Sequence, residues 1–278
     1  MIRYIVGSII MLEAALLLLP ILTAIVYGEW NTLRVFAGSA LFCIVAGALL
    51  RGKKPENTTI FSVEGYVSVA LCWVALSICG AIPLCVSGVL QNPFDAFFEI
   101  VSGFTTTGSS VMQSVEGAPR AILMWRSFSH WVGGMGVLVF MLALLPMGGA
   151  SSMHLMRAES PGPSVGKLVP KVRSTAKILY EIYSFLTIVL MILLVISGCP
   201  VFDSTAGTGG FAVLNSSAAD YNAATQWILT IFMILFGVNF NVYFLFYVKK
   251  WKDGLRCEEA RAYFGIILGS VALISFNI

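Results

Sequence analysis

The amino-acid sequence predicts an all-α polytopic membrane protein in which a helix–pore loop–helix unit occurs twice. Three observations carry that prediction. The 278 residues are 58% hydrophobic and only 11% charged, with a mean hydropathy of +0.88; soluble domains carry about 25% charged residues. Apolar runs approach or exceed the ~20 residues that cross a bilayer as a helix. Two segments between those runs resemble each other and carry small, hydroxyl-rich sequence that a surface loop does not explain.

The first run, 4–27, is too long for an ordinary signal-peptide core. It carries Glu13 and lacks a clear small-residue cleavage site, so it reads as a retained anchor. Runs at 33–50, 61–90, 121–147, 178–198 and 224–248 follow, and a last one extends from about 262 to 276. The last run meets the end of the chain at Ile278 inside apolar sequence, so the chain is expected to be cut short. Basic residues set the orientation. Arg3, the 51–54 group, the 157–177 group and the 249–261 group hold fourteen of the seventeen Lys and Arg residues. Only Arg34, Arg120 and Arg126 fall on the other side. The N-terminus and the 51–60, 148–177 and 249–261 loops are therefore expected in the cytoplasm, with 91–120 and 199–223 facing outward.

Those outward segments are alike. One reads Asn92-Pro93-Phe94-Asp95, then Thr107-Gly108-Ser109; the other reads Pro200-Val201-Phe202-Asp203, then Thr208-Gly209-Gly210-Phe211. In the first, Asn92 can cap a helix whose first position suits Pro93. Pro93 to Gly103 spans about 16 Å as a helix, roughly half of a 30 Å hydrocarbon core. The segment should dip in from outside and stop near the middle, with Gly103 ending the helix. The chain can then return through Thr105, Thr106, Thr107, Gly108 and Ser109. Irregular backbone at that depth survives only where protein buries it or where it lines a watery path. Threonine carbonyls there can replace the hydration water of a cation, and Gly108 permits backbone geometry closed to other residues. A surface loop would expose Phe94, Phe97, Phe98, Ile100 and Val101, which weighs against it.

Other chemistry is thin. The net charge of +3 is too small and too localised to suggest nucleic acid. The six cysteines form no CxxC pair and read as small buried hydrophobes. His130 and His154 do not build a metal site, and no nucleophile–base constellation suggests an enzyme. Gly162 to Lys167 has the wrong spacing for a phosphate loop. Glu99 and Arg126 are expected to pair, because a charge at membrane depth needs a partner. Glu13 reads as a packing contact or a protonated carboxyl rather than a proton relay. Asn239, within the run at 224–248, should hydrogen-bond a neighbouring helix. Gly133, Gly134 and Gly136 read as close-packing positions.

Several stretches resemble, in order, the Trk/Ktr/HKT superfamily of potassium transporters and its bacterial TrkH type. They are Phe94 to Glu99, Ser102 to Gly108, Trp125-Arg126-Ser127, His130 to Gly136, Glu159 to Pro163, Thr175-Ala176-Lys177, Thr208 to Phe211, Phe232-Met233 and Gly237 to Phe240. The resemblance implies four helix–pore loop–helix units around one pore, as in potassium channels, preceded here by two extra N-terminal helices. It divides the chain into that pair (1–60), a first unit (61–150), a second unit with a shortened pore helix (151–255) and the start of a third (256–278). It implies a potassium filter built from Thr106-Thr107-Gly108 and Gly207-Thr208-Gly209, with Thr105, Ser109, Ala206 and Gly210 flanking. It places Asn239 beside the pore. It also implies potassium uptake across the bacterial inner membrane, a homodimer in lipid, and cytoplasmic nucleotide-binding regulatory subunits of the TrkA/KtrA-like kind. Transported potassium is the only ligand expected, with no organic cofactor.

The two units are unequal. Asp203 lies six residues before Gly209, whereas Asp95 lies thirteen before Gly108. The difference is about two helical turns, so 199–212 is expected to be the least well-formed part of the fold. A non-conducting or incomplete fragment that needs a further chain is the alternative, as is a sodium-permeable cation transporter.

Overall fold

The computed structural model describes residues 1–53, 62–134, 136, 172–205, 211 and 213–277. Among these, the regular structure is helical: α1 (Ile2–Leu16), α2 (Leu18–Tyr27), α3 (Trp30–Arg51), α4 (Ser62–Val86), α5 (Pro93–Phe104), α6 (Arg120–Gly134), α7 (Val172–Ile196), α8 (Ala223–Gly237), α9 (Phe240–Tyr247), α10 (Trp251–Leu255) and α11 (Glu258–Asn277). A 3₁₀ turn covers Asp203–Thr205. Among the described residues, five helical spans are long and apolar enough to cross a membrane, with α1 and α2 counting as one, and the bent pair α8–α9 makes a sixth.

The first span is interrupted at Leu17 rather than continuous. Pro20 has no N–H, and its ring clashes with the carbonyl of residue i−4, which is Leu16. The second span of the pair starts after a tight stop. Gly28 takes a left-handed φ of 70°, and the Glu29 N–H reaches back to the Ala24 carbonyl at 2.8 Å. Glycine serves there because its φ is positive.

α3 returns along α1 at close range. A Cβ on Gly7 would collide with the Arg51 backbone, and one on Gly47 would stand 2.9 Å from the Gly7 carbonyl. Small residues let membrane helices approach where lipid supplies no hydrophobic drive between them. Arg51 closes the far end, donating to the Tyr4 hydroxyl at 2.7 Å. The largest buried cluster joins α1 to α6 and includes Ile9, Phe36, Leu76, Ile100, Phe104 and Trp125.

The run at 224–248 is not one straight helix. α8 and α9 meet at 83°. Val238 and Asn239 take extended ψ values, and the Asn239 side chain caps α9 by accepting from the Asn241 N–H at 2.9 Å. Asn239 is therefore a helix cap at a corner, not a residue within a continuous span. The carbonyls freed at the end of α8 find tyrosine hydroxyls: Tyr243 donates to Leu235 at 2.7 Å and Tyr263 to Ile234 at 3.0 Å. Such pairing is what an interrupted helix needs where water is scarce.

Candidate ion pathway

α5 forms as its sequence dictates. The Asn92 side chain accepts from the Phe94 N–H at 3.1 Å, Pro93 occupies the first turn, and Asp95 follows. The helix ends differently from expectation. Gly103 lies inside it, and the left-handed residue is Thr106, with φ 55°. Thr106 N–H bonds to the Gly103 carbonyl and Thr107 N–H to the Ser102 carbonyl, both at 2.9 Å. This is a Schellman ending with a β-branched residue where glycine is usual. Gly103 serves contact instead: a Cβ there would collide with Ser129 Oγ of α6. Likewise a Cβ on Gly133 would collide with the Phe104 carbonyl. The close-packing expectation thus applies to Gly133, and Gly103 joins it.

Two rulers give the depth of this turn. Gly133 is thirteen residues from the start of α6, and Trp73, whose ring meets Phe104 at 6.2 Å, is thirteen from the end of α4. Each corresponds to about 20 Å of helix. Phe104 therefore lies about 20 Å along both flanking helices from the ends nearest the start of α5, a distance of more than half a 30 Å hydrocarbon core.

From there the chain returns without regular structure through Thr105–Ser109, with Gly108 at φ 79°. Thr105 Oγ1 donates to the Val101 carbonyl at 2.7 Å or shares a proton with Thr107 Oγ1 at 2.8 Å. Thr105, Thr107 and Ser109 are exposed within this chain.

The structure brings Glu99 and Arg126 together. Glu99 is wholly buried and Arg126 is 2% exposed, and Arg126 Nη2 and Nε each reach Glu99 Oε1 at 2.7 Å. The carboxylate also accepts from Ser110 Oγ and from the Val111 N–H, both at 2.9 Å. Arg126 Nη2 donates to Ser110 Oγ at 3.1 Å. The ion pair thus grips the chain immediately after the Thr-Thr-Thr-Gly stretch. Sequence reasoning expected the pair but not the strand it holds, because nothing in spacing marks Ser110 and Val111 as its partners.

The 199–223 segment is more modest. Its described part holds the single 3₁₀ turn at Asp203–Thr205, where the first segment has twelve helical residues. Ala206, Gly207, Thr208, Gly209 and Gly210 lie outside the described residues, as do His154 and Glu159 to Pro163. Phe211 is placed: Arg126 Cζ lies 4.3 Å from its ring centroid, and His130 meets it at 4.0 Å. This stacking was not legible in the sequence. Among the described residues, the buried side chains of His130 and Ser102, beside the end of α5, have no hydrogen-bond partner. Nearby, Tyr221 donates to Asp203 Oδ2 at 2.9 Å; burial and that hydrogen bond push the phenol above its ordinary value.

The 91–120 and 199–223 segments also touch. Asn215 Oδ1 accepts from the Val115 N–H at 2.8 Å, and the Asn215 N–H donates to Glu116 Oε1 at 2.9 Å. At the same end of the helices, the Glu29 carboxylate accepts from the N–H groups of Arg120 and Ala121 at 2.6 and 3.1 Å. It caps α6 from ninety residues away. The Arg120 guanidinium lies 4.3 Å from the Tyr27 ring centroid and 5.5 Å from that of Phe202, two rings that themselves meet edge-on at 5.6 Å.

A half-length helix that ends between two spans and hands over to irregular backbone defines a polytopic membrane protein with a re-entrant loop. The chain belongs to the TrkH family, described as cation transport proteins, whose model matches residues 32–269. A Salmonella typhimurium relative, the Trk system potassium uptake protein TrkH, is 34% identical over 97% of this chain. The Trk system potassium uptake protein TrkG of Escherichia coli K12 is 30% identical over 98% of it. The crystal structure of the potassium transporter TrkH from Vibrio parahaemolyticus superposes with a TM-score of 0.74 at 26% identity, covering 89% of this chain. This chain spans 58% of the length of each of the two relatives and 52% of the solved chain.

Proposed function

We propose that this chain is a membrane subunit for potassium uptake across the bacterial inner membrane, with its N-terminus in the cytoplasm. Thr105, Thr106, Thr107, Gly108 and Ser109 form one wall of the ion filter, and Ala206 to Gly210 form a second. The carrying observation is the end of α5, a left-handed threonine turn at about 20 Å depth whose return strand is held by the buried Glu99–Arg126 pair. Transport needs no covalent chemistry: backbone oxygens replace the water shell of the ion. The names of the relatives, potassium uptake proteins of the Trk system, support potassium as the cargo.

The 1–60 pair, the units at 61–150 and 151–255, and a third unit opening near 256 form the working division of the chain. Further pore units complete the pathway, because two walls leave an ion open on its other sides. Exposure of Thr105, Thr107 and Ser109, and an α11 span only 6% buried, support this reading. A homodimer with TrkA/KtrA-like regulatory subunits is the assembly it fits.

The downstream nucleotide sequence is expected to encode two more glycine-containing pore loops. Expression of the complete locus in cells lacking potassium uptake should restore growth at low potassium, and Gly108→Ala should abolish it. Undiminished growth with Gly108→Ala would overturn the filter assignment. Purified 1–278 alone in liposomes should show no selective potassium flux; robust flux would overturn the need for further units.

A further inference from the structure

We propose that Glu13 of α1, Cys43 of α3 and Cys79 of α4 form a metal site for a borderline-soft divalent cation of the zinc class. All three side chains are buried, and their potential ligand atoms lie within 4.8 Å of one another. Both Glu13 carboxyl oxygens are buried without a hydrogen-bond partner among the described residues.

A carboxyl group left unpartnered in an apolar bundle is costly in either protonation state. Protonation removes the charge but still leaves a hydroxyl and a carbonyl unsatisfied. A coordinated cation answers one carboxyl oxygen and both sulfurs at once. Ligands about 2.3 Å (sulfur) and 2.0–2.2 Å (oxygen) from a tetrahedral zinc ion stand roughly 3.5–3.8 Å apart. Closing from 4.8 Å to that range takes about 1 Å, within reach of side-chain rotation. One thiolate and the carboxylate balance the divalent charge, and the second cysteine completes three protein ligands with a fourth position open. The oxygen ligand favours zinc over copper(I), which prefers sulfur throughout.

The surroundings are shaped for the carboxyl. A Cβ on Gly80 would stand 2.8 Å from Glu13 Oε1 and 3.0 Å from Ile100 of α5, so the glycine makes room. The Gly80 carbonyl is itself held by Trp125 Nε1 at 2.9 Å. A metal here would tie three helices together directly behind the re-entrant helix. Positions 13, 43 and 79 share no short spacing, so the sequence reads them as separate core residues.

The test uses the purified full chain in detergent under reducing conditions, loaded with Zn²⁺ and desalted. Elemental analysis should find about one zinc per chain, and Co²⁺ in its place should give a thiolate charge-transfer band. Zn²⁺ should also raise the melting temperature. Glu13→Gln and the Cys43→Ser/Cys79→Ser pair should lose the metal, the band and the thermal shift. A variant with Cys72, Cys85, Cys199 and Cys257 all changed to Ser should keep them. Size-exclusion monodispersity shows which variants are folded, and the wild-type band stands without them. A monodisperse wild type that retains no metal overturns the proposal, as does a Cys43/Cys79 variant that retains it in full. Full retention by Glu13→Gln removes Glu13 from the site.

Discussion

At the scale of single residues, the decisive features are the left-handed threonine and the buried ion pair. A β-branched residue with positive φ costs roughly 1–2 kcal/mol. Thr106→Gly should therefore raise stability by roughly 0.5–1 kcal/mol, after allowing for the greater freedom of glycine when unfolded. Thermal unfolding in detergent checks this; a fall in melting temperature would show that contacts of the threonine outweigh its strain. Arg126→Gln strands a buried carboxylate and should cost about 3–5 kcal/mol. The same change should release the Val111 amide, seen as faster hydrogen exchange there than in α3. Glu99 and Arg126 were legible as partners because lone charges at membrane depth are so unfavourable. The role of Gly103 was not: a glycine near a helix end suggests a stop, and only the position of Ser129 shows that contact is its purpose.

At the scale of elements, the corner between α8 and α9 rests on one cap and two tyrosines. Asn239→Ala should cost about 1 kcal/mol by removing the cap, while Asn239→Ser should recover most of it. Comparing the melting temperatures of the two variants separates the cap from the contact Asn239 Nδ2 makes with the Glu259 carboxylate. The apolar run at 224–248 concealed this corner, since hydropathy is blind to a change of direction. Gly237-Val238-Asn239 holds the signal in retrospect: a glycine followed two residues later by a strong capping residue. The break at Leu17 was equally available, because Pro20 forbids an ideal turn before it. By contrast α5 was readable nearly to its last residue, since Asn92, Pro93 and Asp95 all state the same start.

At the scale of the molecule, the end that holds Glu29, Arg120 and Asn215 is tied together by groups far apart in sequence. Glu29→Ala removes the distant cap from α6 and should cost about 1–2 kcal/mol, read as a lower melting temperature with a folded gel-filtration profile. Apolar runs place the spans but carry no sign of such ties, which depend on which loop ends meet; Asn215 bridging the 91–120 and 199–223 segments is another.

The 83° corner has a consequence for the surrounding lipid. As one straight rod, Ala223 to Tyr247 would reach about 37 Å. Folded into two arms near a right angle, it can extend no more than about 25 Å in any direction. The first two helices, laid end to end, reach nearly 40 Å. Acyl chains that meet the bent pair must therefore thin to match it, while the first two helices require no such thinning.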